Sequence, residues 1–244
     1  LLGFVGAKAA TFEIAIQLGA ILSVVVLYYR RMLDLLSLGQ SSGSGAVSTL
    51  KGRPGLCRIA LASLPALVAG YLFHDVIKSR LFTPVAVSWA LAVGGVAILF
   101  AERWVSRQSP RSLETLTLKQ ALGIGLFQVL SLWPGTSRSA ATIVGGLLLG
   151  LDRKGAAEFS FLIAVPVMMV ASGYDVLMLS AALTSDDIAQ FGVGFAVSFV
   201  VALLSIKTFI LLLSRWTLTP FAWYRIVAAP IFYWLTRGAG LPEP

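Results

Sequence analysis

Apolar residues in this chain come in long, nearly unbroken runs separated by polar clusters. This is neither the alternation of a half-buried strand nor the spaced stripe of an amphipathic surface helix. A helix crossing a bilayer needs roughly 20 mostly apolar residues, since about 1.5 Å of rise per residue must cover a ~30 Å core. The runs 12–29, 56–73, 84–101, 159–179 and 188–213 meet that requirement. The run 221–235 is shorter, but Phe221, Trp223, Tyr233 and Trp234 sit at its ends as in an interfacial aromatic belt. The Ser/Gly-rich stretch 39–52 reads as a flexible loop. The pattern predicts an all-α, polytopic integral membrane protein with about six transmembrane helices, and residues 1–244 read as a single transmembrane domain.

The stretch 118–151 breaks the pattern. Its segments 118–132 and 140–151 are apolar but each is too short to cross. Between them lies Trp133-Pro134-Gly135-Thr136-Ser137-Arg138-Ser139, which a lipid-facing helix would not tolerate. Pro and Gly end the first segment. Non-helical backbone at membrane depth is allowed only inside protein or beside a watery cavity. Two half-helices meeting at a polar turn predict a re-entrant hairpin over 118–151.

Composition agrees: 57% of the 244 residues are apolar and 12% charged, against about 25% charged in a soluble domain. The net charge of +8 does not imply nucleic acid, because the basic residues lie mostly between the apolar runs. If Arg30, Arg31, Lys51, Arg53 and Arg58 face the cytoplasm, alternation places Arg103, Arg107, Arg111 and Lys119 there too. A hairpin that returns to the side it entered adds Arg153, Lys154 and Arg215. Lys8, Lys78, Arg80 and Arg237 are left outside, so the positive-inside bias favours the re-entrant reading. The single Cys57 excludes an intrachain disulfide, and the single His74 excludes metal motifs that need two histidines.

An arginine at membrane depth is expensive and marks function. Around Arg138, Gly135 permits a turn closed to other residues, and Thr136 or Ser137 is placed to cap the helix that follows. The exposed N–H groups and positive dipole end of that helix face an anion. Arg138 and Thr142 are four apart, Ser139 and Thr142 three, so a guanidinium and two hydroxyls share one helix face. A fixed planar donor fork suits phosphate. This predicts a phosphate cradle inside a membrane; the plain alternative is a kinked helix whose hydroxyls bond its own backbone and whose Arg138 meets a carboxylate. A P-loop is excluded, since no Gly-Lys-Ser/Thr follows.

The string Pro134-Gly135-Thr136-Ser137-Arg138-Ser139-Ala140-Ala141-Thr142 resembles the PGxSRSxxT motif of the bacterial undecaprenyl-diphosphatase (bacitracin-resistance) family. Thr11-Phe12-Glu13, Ile16-Gln17-Leu18-Gly19, Phe73-His74-Asp75, Glu158-Phe159-Ser160-Phe161, Ala164-Val165-Pro166 and Ile206-Lys207-Thr208-Phe209 also resemble it, so the likeness covers nearly the whole chain. It implies a multi-spanning enzyme of the bacterial inner membrane with two inverted repeats, each with a re-entrant loop. The implied reaction removes the terminal phosphate of undecaprenyl diphosphate on the periplasmic side, recycling the lipid carrier for peptidoglycan synthesis. By the same resemblance Arg138, Ser137 and Thr142 are catalytic, Gly135, Thr136 and Ser139 bind substrate, and a divalent cation (Mg or Ca) is the expected cofactor, with no metal ligand assigned. The partner is a polyprenyl diphosphate lipid, and a homodimer is a further expectation. The family also carries an upstream E-x-x-x-E…S-S-x-G-H segment with no counterpart in this sequence, so the chain is expected to begin just after it.

Other candidates are weaker. His74 with Asp75 looks like a dyad, but lies at the end of a run and reads as interfacial. Glu13 and Gln17 share a helix face, and Glu158 begins a helix, where it stabilises the terminus or holds Arg138 or a metal. Lys207 and Arg225 read as snorkelling to the interface, with neutralisation of a lipid phosphate as the alternative, and Tyr71 and Trp89 read as anchors or packing. Acid-phosphatase-like lipid phosphatases are excluded, because their SRxxxxxH signature would need His where Val144 stands. The competing functions are a polyprenyl-phosphate flippase, since transporters also use broken helices facing anions, and a non-catalytic remnant.

Overall fold

The computed structural model describes residues 7–36, 49–105, 109–178 and 185–238. Their regular structure is helical: α1 (Ala7–Leu27), α2 (Tyr29–Leu36), α3 (Gly52–Leu72), α4 (His74–Arg80), α5 (Pro84–Val105), α6 (Leu118–Val129), α7 (Arg138–Leu148), α8 (Arg153–Met178), α9 (Ser185–Leu213) and α10 (Thr219–Gly238). Within these, Gly52–Leu72, Pro84–Val105, Arg153–Tyr174 and Ala189–Leu213 are each long and apolar enough to cross a membrane. The pair α1 and α2 meets the same test together, bent by 75°. The helix α10 has the length of a crossing, 20 residues, without the apolarity. The protein is thus an all-α polytopic membrane protein. Residues 39–48 of the expected loop lie outside the described residues.

The expected hairpin is present. The helix α6 starts with a capping box, in which the Thr117 hydroxyl accepts from Gln120 N–H and the Gln120 side chain accepts from Thr117 N–H. A short 3₁₀ turn (Leu130–Leu132) ends it, and α7 returns antiparallel. Gln120 Nε2 donates to the Leu149 carbonyl at 2.8 Å, and Phe127 packs on Gly145. The two ends are tied by backbone bonds from Arg111 N to Gly150 O (2.9 Å) and Asp152 N to Arg111 O (3.0 Å). The chain therefore leaves the hairpin at the end where it entered.

That end gathers the loops read as sharing one side. Arg31 pairs with Glu114, Arg58 Nε donates to the Leu116 carbonyl at 2.6 Å, and Arg153 grips Glu102 through Nε (2.9 Å) and Nη2 (2.6 Å). Glu102, 6% exposed, also accepts from Leu218 N–H at 2.8 Å. One carboxylate thereby joins α5, α8 and the start of α10. Below this layer Phe159, Leu162, Ile163, Ile124 and Leu147 form a buried core. A Cβ on Gly125 would fall 2.5 Å from the Ala62 carbonyl oxygen, so α3 and α6 cross with nearly touching backbones. Large apolar side chains such as Val93, Phe100, Val197 and Leu204 point outward, as a lipid-facing surface requires.

Two outcomes follow. In a Cys57→Ser background, single cysteines at Ser112, Lys154 and Trp216 should react with an impermeant thiol reagent from one side of the membrane, and one at His74 from the other; labelling of Ser112 and Lys154 from opposite sides would overturn the hairpin. Glu102→Ala strands the Arg153 guanidinium and the Leu218 N–H, and should cost about 3 kcal/mol. Thermal unfolding in detergent reads this, and a melting point equal to wild type would show the bridge to be idle.

Candidate active site

The hairpin tip is built by a backbone that departs twice from the ordinary. Gly135 has φ +91°, and a Cβ there would lie 2.7 Å from the Val87 carbonyl oxygen, so both conformation and space call for glycine. Ser137 has φ 67° and ψ 120°, and is the non-glycine residue with positive φ among the described residues. Such a conformation costs on the order of 1–3 kcal/mol and persists where the surroundings over-determine it.

The surroundings are specific. The Trp133 indole N–H donates to the Ala86 carbonyl at 2.9 Å, in the first turn of α5. Arg225 of α10 donates through Nη2 to the Gly135 carbonyl (2.8 Å) and the Ala90 carbonyl (3.1 Å). A Cβ on Gly94 would collide with that guanidinium, so Gly94 is the seat on which Arg225 lies. Arg225 is 8% exposed, so its expected place at the interface is corrected. Its side chain turns inward because the tip offers the Gly135 carbonyl, which hydrocarbon cannot satisfy, and the Ala90 carbonyl of α5 lies within reach of the same nitrogen. Sequence reasoning missed this role, although a lone charge well inside the run at α10 was its signal.

Of the two possible caps, Ser137 serves: its Oγ accepts from Ala140 N–H at 3.4 Å. The N–H groups of Arg138 and Ser139 have no acceptor among the described residues and face outward from the helix start. Ser137 and Ser139 have hydroxyls 3.3 Å apart and border a cavity. Thr136 lies at the tip, partly buried, its N–H on the Trp133 carbonyl. Arg138 leans the other way, its Nη1 donating to the Ala164 carbonyl of α8 at 3.4 Å, with no ion pair among the described residues. The carboxylate partner of the plain alternative is therefore not there among the described residues.

Thr142 does not join this group. It is 1% exposed, its hydroxyl donates back to the Arg138 carbonyl (2.9 Å) and lies 2.7 Å from Ser160 Oγ. The expected shared face is divided because Thr142 lies a full turn deeper, where α8 covers it. Its role is to tie α7 to α8 under Arg138, and Ser160 is the partner that sequence reasoning missed. Glu158 lies 3.8 Å from Lys154 and makes no pair with Arg138. His74 and Asp75 are 3.2 Å apart but exposed at the far end of α3, Lys207 is exposed, and so are Tyr71 and Trp89. Glu13 is exposed and Gln17 half-buried on α1. Among the described residues no group of three or more His, Cys, Asp or Glu side chains comes together. The side chains described at the tip therefore do not make a ligand set that fits the expected divalent cation.

The tip thus offers two outward N–H groups, two hydroxyls and a guanidinium at one helix start, level with the first turn of α5 and remote from the Glu102 end. Chemically that is a binding site for a multiply charged oxyanion. Comparison with known proteins agrees with this chemistry. Residues 1–231 match the family described as bacitracin resistance protein BacA. An undecaprenyl-diphosphatase of Maridesulfovibrio salexigens is 52% identical over 238 residues, 96% of this chain and 87% of that protein. One from Nitratidesulfovibrio vulgaris is 50% identical and one from Desulfovibrio desulfuricans 49%, each over 234 residues, 96% of this chain and 86% of the relative.

The latch at Gly135 is open to test. Arg225→Met strands the Gly135 carbonyl, and the loss of two charge-assisted bonds should cost about 3 kcal/mol. Gly94→Ala should act in the same direction, more weakly, by pushing the guanidinium off its seat. Hydrogen exchange over residues 133–138 should rise in both; unchanged protection would mean that the turn stands without the arginine.

Proposed function

From the premise that this chain belongs to the bacitracin resistance protein BacA family, we propose that it hydrolyses undecaprenyl diphosphate to undecaprenyl phosphate and inorganic phosphate. The observation that carries the reading is Arg138 within a membrane-embedded hairpin, at a helix start whose first two N–H groups have no acceptor and whose guanidinium pairs with no carboxylate among the described residues. A soluble phosphatase has no need of such a setting, whereas a lipid whose charged head must meet protein at hydrocarbon depth does.

In the reaction, water oxygen bonds to the terminal phosphorus as the anhydride P–O bond breaks, and the lipid phosphate leaves with the bridging oxygen. Charge builds on the terminal phosphoryl oxygens and on that leaving group. Arg138 and the N–H groups of Arg138 and Ser139 supply preorganised positive potential at this point, in a setting of low dielectric. The hydroxyls of Ser137 and Ser139 orient the remaining oxygens, and Gly135 and Thr136 shape the turn that holds them. Thr142 serves from beneath, by fixing the first turn of α7 against α8. The side chains bonded to Ser137 and Ser139 include no carboxylate or imidazole among the described residues, so the tip contributes binding and charge neutralisation.

The orientation belongs to the same proposal. The tip opens away from the end that gathers Arg31, Arg58, Arg111 and Arg153, and the positive-inside rule puts that basic end in the cytoplasm. In a bacterial inner membrane the site then faces the periplasm, where the product lipid returns to peptidoglycan synthesis and removal of the diphosphate form confers bacitracin resistance.

Phosphate release from undecaprenyl diphosphate by the purified protein tests the reading. Arg138→Ala should lose about 10²–10³-fold in rate, and Arg138→Lys should recover part of it, since a point charge replaces a planar fork. Movement of labelled lipid between leaflets by wild type, without phosphate release, would establish a flippase instead.

A further inference from the structure

A cavity of about 240 Å³ lies between α5, α7, α9 and α10. Ser137, Ser139, Tyr224 and Arg225 border it at the hairpin tip, and Ile98, Ile143, Val144, Phe209 and Phe221 form an apolar wall. Since Ser137 and Val144 are seven residues apart on one helix, the cavity follows α7 for about 10 Å from the tip toward the Glu102 end. It therefore has a polar end at the hairpin tip and an apolar body that runs from there toward the Glu102 end.

The arginine at that polar end is not fully used. Its Nη2 holds two carbonyls, but Nε is buried with no partner and Nη1 makes no hydrogen bond among the described residues. Arg225 forms no ion pair there either. A guanidinium that is 8% exposed, with free donors and no counter-charge, is costly unless an anion completes it. Arg138 does not share this cavity: it leans to α8 on the other flank of the same helix start.

We propose that this cavity seats the lipid-proximal part of the substrate. The ester-linked phosphate lies beside Ser137, Ser139 and Arg225, and the first isoprenoid carbons lie along the wall formed by Ile143, Val144 and Phe209. Arg138 is then left to the terminal phosphate. This rests on the prenyl-diphosphate reading above and adds to it a division of labour between two arginines. It also gives a physical source of selectivity: an inorganic diphosphate satisfies the same donors but leaves the apolar wall empty. The direction of the cavity is that of an amphiphile in the outer leaflet, with its head toward the outside and its chain toward the membrane interior.

The test uses the purified whole protein in detergent and reads binding, which does not require turnover. Farnesyl monophosphate and inorganic phosphate are titrated separately, by native mass spectrometry, against wild type, Val144→Phe and Phe209→Trp, which narrow the apolar part of the cavity from two different helices, α7 and α9. The ratio of farnesyl phosphate to inorganic phosphate affinity should fall about tenfold in each, the size expected for a blocked apolar subsite. Arg225→Gln should weaken both ligands. An unchanged ratio in a filled variant that melts at the wild-type temperature would overturn the proposal. A wild-type protein that releases no phosphate yet loses farnesyl phosphate selectively in the filled variants would sink the phosphatase reading alone and support the subsite.

Discussion

Backbone that leaves the helix inside a bilayer exposes carbonyls and N–H groups that lipid cannot bond, and the hairpin tip at 133–137 depends on meeting that constraint. Its carbonyl at Gly135 is answered by a charged side chain from a distant helix, and the carbonyl of Ala90 shares the same donor nitrogen. The Trp133 indole adds a third tie, to Ala86. With these in place Ser137 is held at positive φ, and the two residues after it present free N–H groups. The anion site is therefore a by-product of satisfied backbone: carbonyls are pinned inward, and donors are left facing out.

The opposite end of the molecule solves a different electrostatic problem. The carboxylates of Glu102 and Glu114 meet Arg153 and Arg31 where the loops gather, and this layer, with the bridge between Arg111 and Leu151, sets the depth to which the hairpin enters. Arginines near the tip have no such partners among the described residues. The contrast separates structural from functional charge. Paired charges hold helices together at the base, while the arginines at the tip bond backbone carbonyls and meet no counter-charge among the described residues.

Small residues connect the two problems. Gly125 lets α6 lie against α3, Gly94 makes room for a guanidinium, and Gly135 lets the turn approach α5. In lipid, where no hydrophobic drive brings helices together, close backbone approach is a main source of association. It also sets geometry here, because each glycine fixes how near the tip sits to the elements that hold it.

Long apolar runs, the polar interruption at 133–139 and the distribution of Lys and Arg made the all-α membrane fold and the re-entrant hairpin readable from composition and order alone, since hydrocarbon accepts so few backbone arrangements. The motif likewise placed Ser137, Arg138 and Ser139 together at one helix start, because local spacing decides what a helix start can present. Residues whose meaning depends on what lies across from them could not be read this way. Arg225 has the sequence context of a snorkelling side chain, and only the packing of α10 against Gly94 turns it toward Gly135. Thr142 has the spacing of a site residue, and only the approach of Ser160 on α8 buries it. A helix fixes the direction of its own side chains, but the partner that each one meets is set by the neighbouring helix, and that lies in the tertiary structure.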